Sequence, residues 1–165
     1  MTTPDDIRWA DIHRILFVCH GNICRSSMAH CLMAKLLLDE NITDVTVDSA
    51  ATSTEEIGNP IHYGARQELL RHGIPILTHR ARQLRADDAQ KYDLFLGADT
   101  ANVANMRRIL PTDAADKCLL MMDLVGEHRG IADPWYTDNF QETWNDVLRG
   151  CLALLAHLKE ARNNP

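Results

Sequence analysis

Long apolar runs and an excess of positive charge are both missing from this sequence of 165 residues. The longest apolar runs, such as Ile15 to Cys19, fall far short of the roughly 20 residues that a bilayer span requires, so we expect no integral membrane protein. Asp and Glu number 23 against 17 Lys and Arg, which gives a formal charge of −6. Because an acidic chain is repelled by backbone phosphates, this balance argues against nucleic-acid binding, and an anionic substrate would need a local positive site.

Signatures of disulfide scaffolds, zinc sites and secretion are missing as well. The five cysteines are an odd number and form no C-x-x-C pair, which predicts neither a disulfide framework nor a zinc site. Residues 1–13 contain four charged side chains and no apolar core, so we expect a short surface extension here and no secretory signal. Both observations favour the reducing cytoplasm.

What is present indicates one globular domain. The length is close to the commonest domain size, and 45% hydrophobic with 24% charged residues is enough to form a core. We find no internal repeat and no linker. The prediction is a single domain over residues 14–165, and we expect a monomer.

Strand-like apolar runs alternate with helical patterns along the chain. Such alternation predicts a parallel sheet that helices cover on both faces. We therefore predict an α/β fold with three α/β/α layers and a central four-stranded parallel sheet in the order 2-1-3-4. The predicted strands lie at Ile15–Val18, Val45–Ala51, Tyr92–Gly97 and Lys117–Met121, and the predicted helices at about Ser26–Glu40, Pro60–His72, Asn102–Leu110 and Asn139–Ala161.

The segment Cys19–Ser26 lies between a buried strand and the start of a helix, which is where open parallel sheets place ligands. In a loop of this length the backbone N–H groups can point inward around an anion, and the helix adds its positive end. Gly21 and Asn22 are the residue types that best tolerate positive φ. Arg25 adds a planar fork of donors for two phosphate oxygens, so the segment predicts a phosphate site.

Cys19 is the candidate nucleophile of this segment. Inward N–H groups, the helix dipole and Arg25 all stabilise a thiolate at this position. Ser26 can donate a hydroxyl hydrogen bond to the sulfur, although Ser at this place is equally typical of a helix N-cap. The alternative for Cys19 is a structural cysteine in an ordinary strand-to-helix turn.

The run Val18–Ser26 resembles the signature loop of the low-molecular-weight protein tyrosine phosphatases. The resemblance implies that His20, Gly21, Asn22, Ile23, Cys24 and Ser26 form the phosphate-binding loop around Cys19 and Arg25. It also implies removal of phosphate from protein phosphotyrosine or small aryl phosphates through a cysteinyl-phosphate, with no cofactor and with inhibition by phosphate or vanadate. Further similar segments are Ser49–Ser53, Glu56–Pro60, His72–Pro75, His79 with Ala81–Gln83, and Asp133–Pro134.

Asp133 is the candidate proton donor, since a phenolate leaves a phosphoryl group slowly unless it is protonated. Pro134 stiffens the chain beside it, and Trp135 and Tyr136 can shield it and stack on an aromatic substrate. An Asp before a Pro is also common in turns, so a purely structural role is the alternative. The resemblance favours the general acid. No metal is expected, because Arg25 and the loop amides neutralise the transferring group.

The resemblance also implies a set of supporting residues. Ser49 and His79 would hold Asn22 by hydrogen bonds, and Asp99 would support the site or simply cap the following helix. Cys24 would form a reversible disulfide with Cys19 under oxidant, or would pack as an inert thiol. The remaining cysteines, Cys31, Cys118 and Cys151, are predicted to be core residues.

Glu55 departs from the family, whose eukaryotic members tend to have an aromatic wall of the substrate cleft at this place. A carboxylate here would repel acidic phosphopeptides and favour basic or small ones. Three other functions stay open. They are a protein-arginine phosphatase, whose branch has Thr where this chain has Ile23; an arsenate reductase, which needs further redox cysteines; and a silent phosphotyrosine-binding module.

Overall fold

The computed structural model describes residues 2–163 and has a four-stranded, all-parallel sheet in the order β2-β1-β3-β4, which confirms the predicted fold class and strand order. No helix within these residues is long and apolar enough to cross a membrane. The strands are β1 (Arg14–Cys19), β2 (Thr46–Ala51), β3 (Leu94–Gly97) and β4 (Cys118–Leu120). The helices are α1 (Arg25–Asp39), α2 (Tyr63–Arg71), α3 (Thr100–Ile109), α4 (Pro134–Thr137) and α5 (Phe140–Asn163), with several short 3-10 turns between them.

Core residues lie on both faces of the sheet, so the central strand β1 is buried on both sides. Ile15 and Phe17 point to the larger cluster, which α1, α2 and α5 cover. Leu16 and Val18 point to the smaller cluster under α3. A strand covered on both faces reads as a continuous apolar run, which is why β1 was recognisable in the sequence.

Several predicted boundaries were wrong for local reasons. Pro60 does not open α2. The helix begins at Tyr63 because His62 is its N-cap residue, whose Nδ1 atom accepts a hydrogen bond from the N–H of Gly64 at 3.0 Å. The strand β3 starts two residues later than predicted, since the carboxylate of Asp93 instead accepts from the N–H groups of His13 and Arg14, both at 2.9 Å.

Two leucines on the helices are exposed, although a leucine in an amphipathic helix is expected on the buried face. Leu70 is 56% exposed and Leu152 is 47% exposed, so neither belongs to the buried stripe of its helix. On α2 the buried position is taken by Glu68, whose carboxylate pairs with Arg71 and His72. Cys31, Cys118 and Cys151 are buried free cysteines, as predicted.

The N-terminal segment packs on the surface of α5. Residues 4–6 and 9–11 form 3-10 turns, and the ring of Trp9 stacks on His157 with centroids 4.5 Å apart. Ile12 is buried, and its carbonyl accepts from the Nη2 group of Arg162 at 3.1 Å. The segment therefore lies on the surface but is fastened to the last helix.

Candidate active site

The sulfur of Cys19 lies at the carboxyl end of β1, buried under the loop that leads into α1. The N–H groups of Asn22 and Ser26 point at it from 3.3 and 3.4 Å, and the Ser26 hydroxyl is 3.0 Å away. The Ser26 oxygen already accepts from the side-chain amide of Asn22 at 2.8 Å, so its hydrogen is free to donate to the sulfur. Three donors thus converge on Cys19 and stabilise a thiolate.

Ser26 does not cap α1, because the N-cap residue is Cys24. The sequence left open whether the Ser26 hydroxyl serves the helix or the sulfur. In the structure it serves the sulfur.

Asn22 holds the loop in its strained shape. Its φ is +62°, whereas Gly21 has no positive φ, so only one of the two residues predicted to need this conformation adopts it. Its side-chain oxygen accepts from the N–H of Arg82 at 3.2 Å, and its carbonyl accepts from Nε2 of His79 at 2.6 Å. The predicted contact between His79 and Asn22 is therefore present, and Arg82 is a partner that the sequence analysis did not single out.

The predicted bond from Ser49 to Asn22 is wrong. Within residues 2–163 the Ser49 hydroxyl has a different partner, Nδ1 of His30 at 3.3 Å, since the side chain of Asn22 is engaged by Ser26 and Arg82. Burial lowers the pKa of His30, the carboxylate of Asp48 opposes this effect, and His79 adds to it, so that the neutral ring is favoured on balance. Ser49 lies in a layer behind the loop.

Arg25 joins the loop to the opposite wall of the cleft. Its guanidinium is almost fully buried and donates from Nη1 to Asp99 at 2.8 Å and to the carbonyl of Ile131 at 3.3 Å. From Nη2 it donates to Asp133 at 3.2 Å. Burial opposes the charge, but Cys19, Asp99 and Asp133 outweigh it and raise the pKa of Arg25. The arginine is therefore a fixed positive charge beside Cys19.

Asp99 has both of the roles that its position in the sequence allowed. One carboxylate oxygen accepts from the N–H of Asn102 at 2.7 Å and caps α3, and the other pairs with Arg25. Gly130 packs closely against Asp99, since a Cβ atom placed on Gly130 would lie 2.7 Å from the Cβ atom of Asp99. A side chain at residue 130 cannot fit without a shift.

Asp133 also combines both predicted alternatives. Its Oδ1 atom accepts from the N–H of Trp135 at 3.1 Å and caps α4, a short helix that the sequence analysis did not predict. Its Oδ2 atom faces Arg25 and the cleft, and about a quarter of the side chain is exposed. A carboxyl group in this position can reach both solvent and a bound ester.

One cleft of about 440 Å³ lies between the loop and the segment that contains Asp133. Cys19 and Arg25 lie among its lining residues, and Trp135 and Tyr136 are 67% and 84% exposed beside it. Glu55, also in the lining, pairs with Nε2 of His20 at 3.0 Å. The remaining lining residues are Gly21, Ile23, Cys24, Glu56, Asp99, Ala101, Asn102, Asn105 and Asp133.

Comparison with known proteins agrees with this geometry. Residues 14–164 match the model of the family described as low molecular weight phosphotyrosine protein phosphatase. The chain belongs to this family. The human low molecular weight phosphotyrosine protein phosphatase is 38% identical over an alignment of 149 positions, and the match covers 86% of this chain and 92% of the human protein.

Solved structures of the phosphatase family superpose over nearly the whole chain. The low molecular weight protein tyrosine phosphatase of Streptococcus pyogenes has a TM-score of 0.80 at 34% identity and covers 93% of this chain and 99% of its own. A Drosophila arginine phosphatase has a TM-score of 0.81 at 27% identity and covers 88% and 97%. The family of hydrolases to which this chain belongs thus includes enzymes named for two different substrates.

Cys24, in the same loop as Cys19, is a protonated thiol at neutral pH. Burial raises its pKa to about 12, and the charge of the neighbouring Cys19 contributes to this shift. Cys24 is a free cysteine in the structure.

Across residues 2–163, no group of three or more His, Cys, Asp or Glu side chains lies close enough together to hold a metal ion.

Proposed function

We propose that this phosphatase hydrolyses protein phosphotyrosine and aryl phosphates with Cys19 as nucleophile, Arg25 as phosphate ligand and Asp133 as general acid. The observation that carries this proposal is the convergence of three hydrogen-bond donors on the Cys19 sulfur, in a cleft shared with Arg25 and Asp133. A thiolate beside a fixed guanidinium is the pairing that phosphoryl transfer to sulfur requires.

In the first step the thiolate of Cys19 attacks phosphorus, and the bond from phosphorus to the phenolic oxygen breaks. Asp133 donates its proton to that oxygen, and a cysteinyl-phosphate forms. In the second step Asp133 takes a proton from water, the water oxygen attacks phosphorus, and phosphate leaves. The Ser26 hydroxyl stabilises the departing sulfur anion through its 3.0 Å contact.

The charge of the transferring phosphoryl group is neutralised by this chain's own residues. The N–H groups of Asn22 and Ser26 point at the Cys19 sulfur near the positive end of α1, where a phosphoryl group bound to that sulfur would lie. Arg25, buried beside them, can donate two N–H groups to the phosphate oxygens. We therefore propose metal-independent hydrolysis and competitive inhibition by phosphate and vanadate.

A second candidate substrate is phosphoarginine. Four carboxylates line the cleft, from Glu55, Glu56, Asp99 and Asp133, and such a set can receive a guanidinium leaving group. Ile23 favours the first candidate, because a branched apolar side chain narrows the cleft towards a flat phenyl ring.

We propose that Cys24 protects the nucleophile against oxidation. A peroxide converts the Cys19 thiolate to a sulfenic acid, and the Cys24 sulfur then displaces water from it to form a disulfide.

We also propose that the protein acts as a monomer in the cytoplasm and that its activity requires neither nucleic acid nor a membrane.

The test is a substrate panel in the presence of a chelator. Peptides with phosphotyrosine, phosphoserine or phosphoarginine are compared with p-nitrophenyl phosphate, and rapid quenching with labelled substrate captures the phosphoenzyme. We expect phosphotyrosine to be preferred and Cys19→Ser to lower turnover by about 10⁴-fold or more. Cys118→Ser, at a buried cysteine outside the cleft, serves as the matched control. Preference for phosphoarginine would reverse the order of the two candidates, and absence of a cysteinyl-phosphate would refute the mechanism.

A further inference from the structure

The residues before the proposed general acid are held from two sides, and this inference rests on the proposed role of Asp133. We call Gly130–Asp133 the acid segment. On its inner side, the N–H of Ile131 donates to the carbonyl of Ala98 at 2.8 Å, and the carbonyl of Ile131 accepts from Arg25 at 3.3 Å. These contacts join the segment to the end of β3 and to the active site.

On its outer side, the acid segment is held by α5. The carbonyl of Ala132 accepts from the hydroxyl of Thr143 at 2.8 Å, and the N–H of Ala132 donates to Asp146 at 3.4 Å. Thr143 is fully buried, and its other hydroxyl contact, to the carbonyl of Asn139, is longer at 3.5 Å. A hydroxyl has one hydrogen, so the shorter contact to Ala132 receives it.

Asp146 is itself fixed. Both oxygens of its carboxylate accept from the guanidinium of Arg129 at 2.9 Å, in a two-bond pairing, and the residue is 7% exposed. Arg129 precedes the acid segment by one residue. Arg129, just before the segment, and Ala132, within it, are therefore tied to the same turn of α5.

The outer contacts matter because those inner contacts that involve Arg25 compete with substrate. Asp133 is held at its side chain by Nη2 of Arg25 and by the N–H of Trp135. When a phosphate group binds, its oxygens draw on the same guanidinium, and the bond from Arg25 to Asp133 weakens. The Ala132 peptide group is adjacent to Asp133 and does not depend on Arg25, so α5 keeps the acid in place when substrate arrives.

We propose that Thr143, assisted by Asp146, is a positioning residue that holds Asp133 within reach of the leaving oxygen. Neither residue touches the substrate. The effect on catalysis passes through the backbone of Ala132, and a loss of this contact should impair proton donation more than nucleophilic attack.

The test uses aryl phosphates whose leaving phenols span a range of acidity. Thr143→Val keeps the shape of the side chain and removes the hydroxyl. We expect kcat/KM for phenyl phosphate to fall about tenfold, since a small misplacement of a catalytic group has effects of this size. Esters of acidic phenols need less protonation, and we expect their loss to be at most about threefold. Thr143→Ser restores the hydroxyl and should restore the wild-type dependence on the leaving group.

Two controls separate positioning from stability. Cys151→Ala removes a buried side chain elsewhere on α5 and should lower the melting temperature without changing the dependence on the leaving group. In an Asp133→Asn background, Thr143→Val should cause no further loss with phenyl phosphate, because the group that it positions is gone. Asp146→Asn provides a second route to the same readout if Thr143→Val folds poorly.

The outcomes are distinguishable. If Thr143→Val slows all esters by one factor, or adds its loss to that of Asp133→Asn, the positioning role is overturned and the general acid stands. If Asp133→Asn itself slows all esters equally, the proposed acid is overturned and the positioning role falls with it.

Discussion

The two walls of the active cleft are built in opposite ways. The proposed phosphate-binding loop, Cys19–Ser26, is one continuous segment, and the contacts to the sulfur of the proposed nucleophile come from within it. The other wall brings Asp99 together with the acid segment, and long-range contacts from Arg25 and α5 fix it. The contacts to the Cys19 sulfur therefore come from within the loop, with His79 and Arg82 supporting Asn22 from behind, whereas the position of the proposed acid depends on packing far along the chain. Mutations that separate these two dependences sharpen the comparison.

Arg25 is the residue that joins the two walls, so its substitution should have the largest effect. Arg25→Lys keeps the charge, but one ammonium group cannot donate to Asp99, to Asp133 and to two phosphate oxygens in a fixed plane. We expect kcat/KM for p-nitrophenyl phosphate to fall by about 10³-fold. Steady-state kinetics measures this, and vanadate binding should weaken in parallel.

The matched control for this prediction is Arg162→Lys, at an arginine that pairs with Asp44 at the far end of the fold. It should leave the kinetics within about twofold of wild type, since surface ion pairs contribute little. Equal activity of Arg25→Lys and wild type would mean that the guanidinium is not a phosphate ligand.

The contrast between a continuous loop and a wall built from distant segments also explains which features could be predicted from the sequence. The loop was predictable because strand, turn residues, arginine and helix start follow one another within a few positions. Its internal bond from Ser26 to Cys19 was among the predictions, and the structure contains it. The fold class and the parallel sheet were predictable from the alternation of apolar runs and helices, an alternation that does not by itself fix the order of the strands. Asp99 entered through the resemblance alone. Asp133 was a candidate because the chemistry needs a proton donor, but an Asp before a Pro is also typical of a turn, and the resemblance decided between the two.

Contacts between distant segments were not predictable. Ser49 was placed on Asn22, but the structure pairs it with His30, a residue with no motif of its own. Thr143 and Asp146 lie on a helix whose apolar stripe was visible, yet their hydrogen bonds to Ala132 depend on how that helix crosses the acid segment. Periodicity indicates which face is buried and does not say which backbone group that face meets.

Gly130→Ala tests the long-range wall directly and should have the next largest effect. The added Cβ atom would lie 2.7 Å from the Cβ atom and 3.3 Å from the Cα atom of Asp99, so either Asp99 or the acid segment must move. We expect kcat/KM for phenyl phosphate to fall about 10- to 100-fold, because both partners of Arg25 are displaced. The measurement compares phenyl phosphate with an ester of an acidic phenol.

Gly150→Ala is the matched control for this change. Its added Cβ atom would approach the Cε atom of Met121 equally closely, at 2.7 Å, but a flexible methionine end can yield. Both variants should lose stability through overpacking, of about 1 to 3 kcal/mol, and only Gly130→Ala should alter the kinetics strongly. A kinetic loss of the same size in both would show that the acid segment is not held by close packing.

Asn22 tests the local wall with a pair of variants. Asn22→Gly keeps the freedom to adopt φ of +62° and removes the side-chain bonds to Ser26 and Arg82. Asn22→Ala removes the same bonds and adds the strain of a left-handed alanine, so its free energy of unfolding should be lower than that of the glycine variant by about 1 kcal/mol. Urea unfolding measures the difference, and we expect both variants to lose about tenfold in kcat/KM. Equal stability of the two would show that the loop relaxes out of its strained conformation.

Glu55 should give the smallest effect, because it is an exposed residue at the cleft and contributes through charge alone. Its carboxylate disfavours acidic residues beside the phosphotyrosine and favours basic ones, and solvent screens the interaction. Glu55→Gln should therefore lower kcat/KM for a peptide with flanking lysines and raise it for one with flanking aspartates, each by about two- to threefold. Both changes should vanish in about 1 M salt, where charges this far apart are screened. Glu160→Gln, which lies outside the cleft lining, should shift neither peptide. If a preference for basic peptides persists in Glu55→Gln and at high salt, the peptides are recognised by shape, and the proposed effect of the Glu55 charge is wrong.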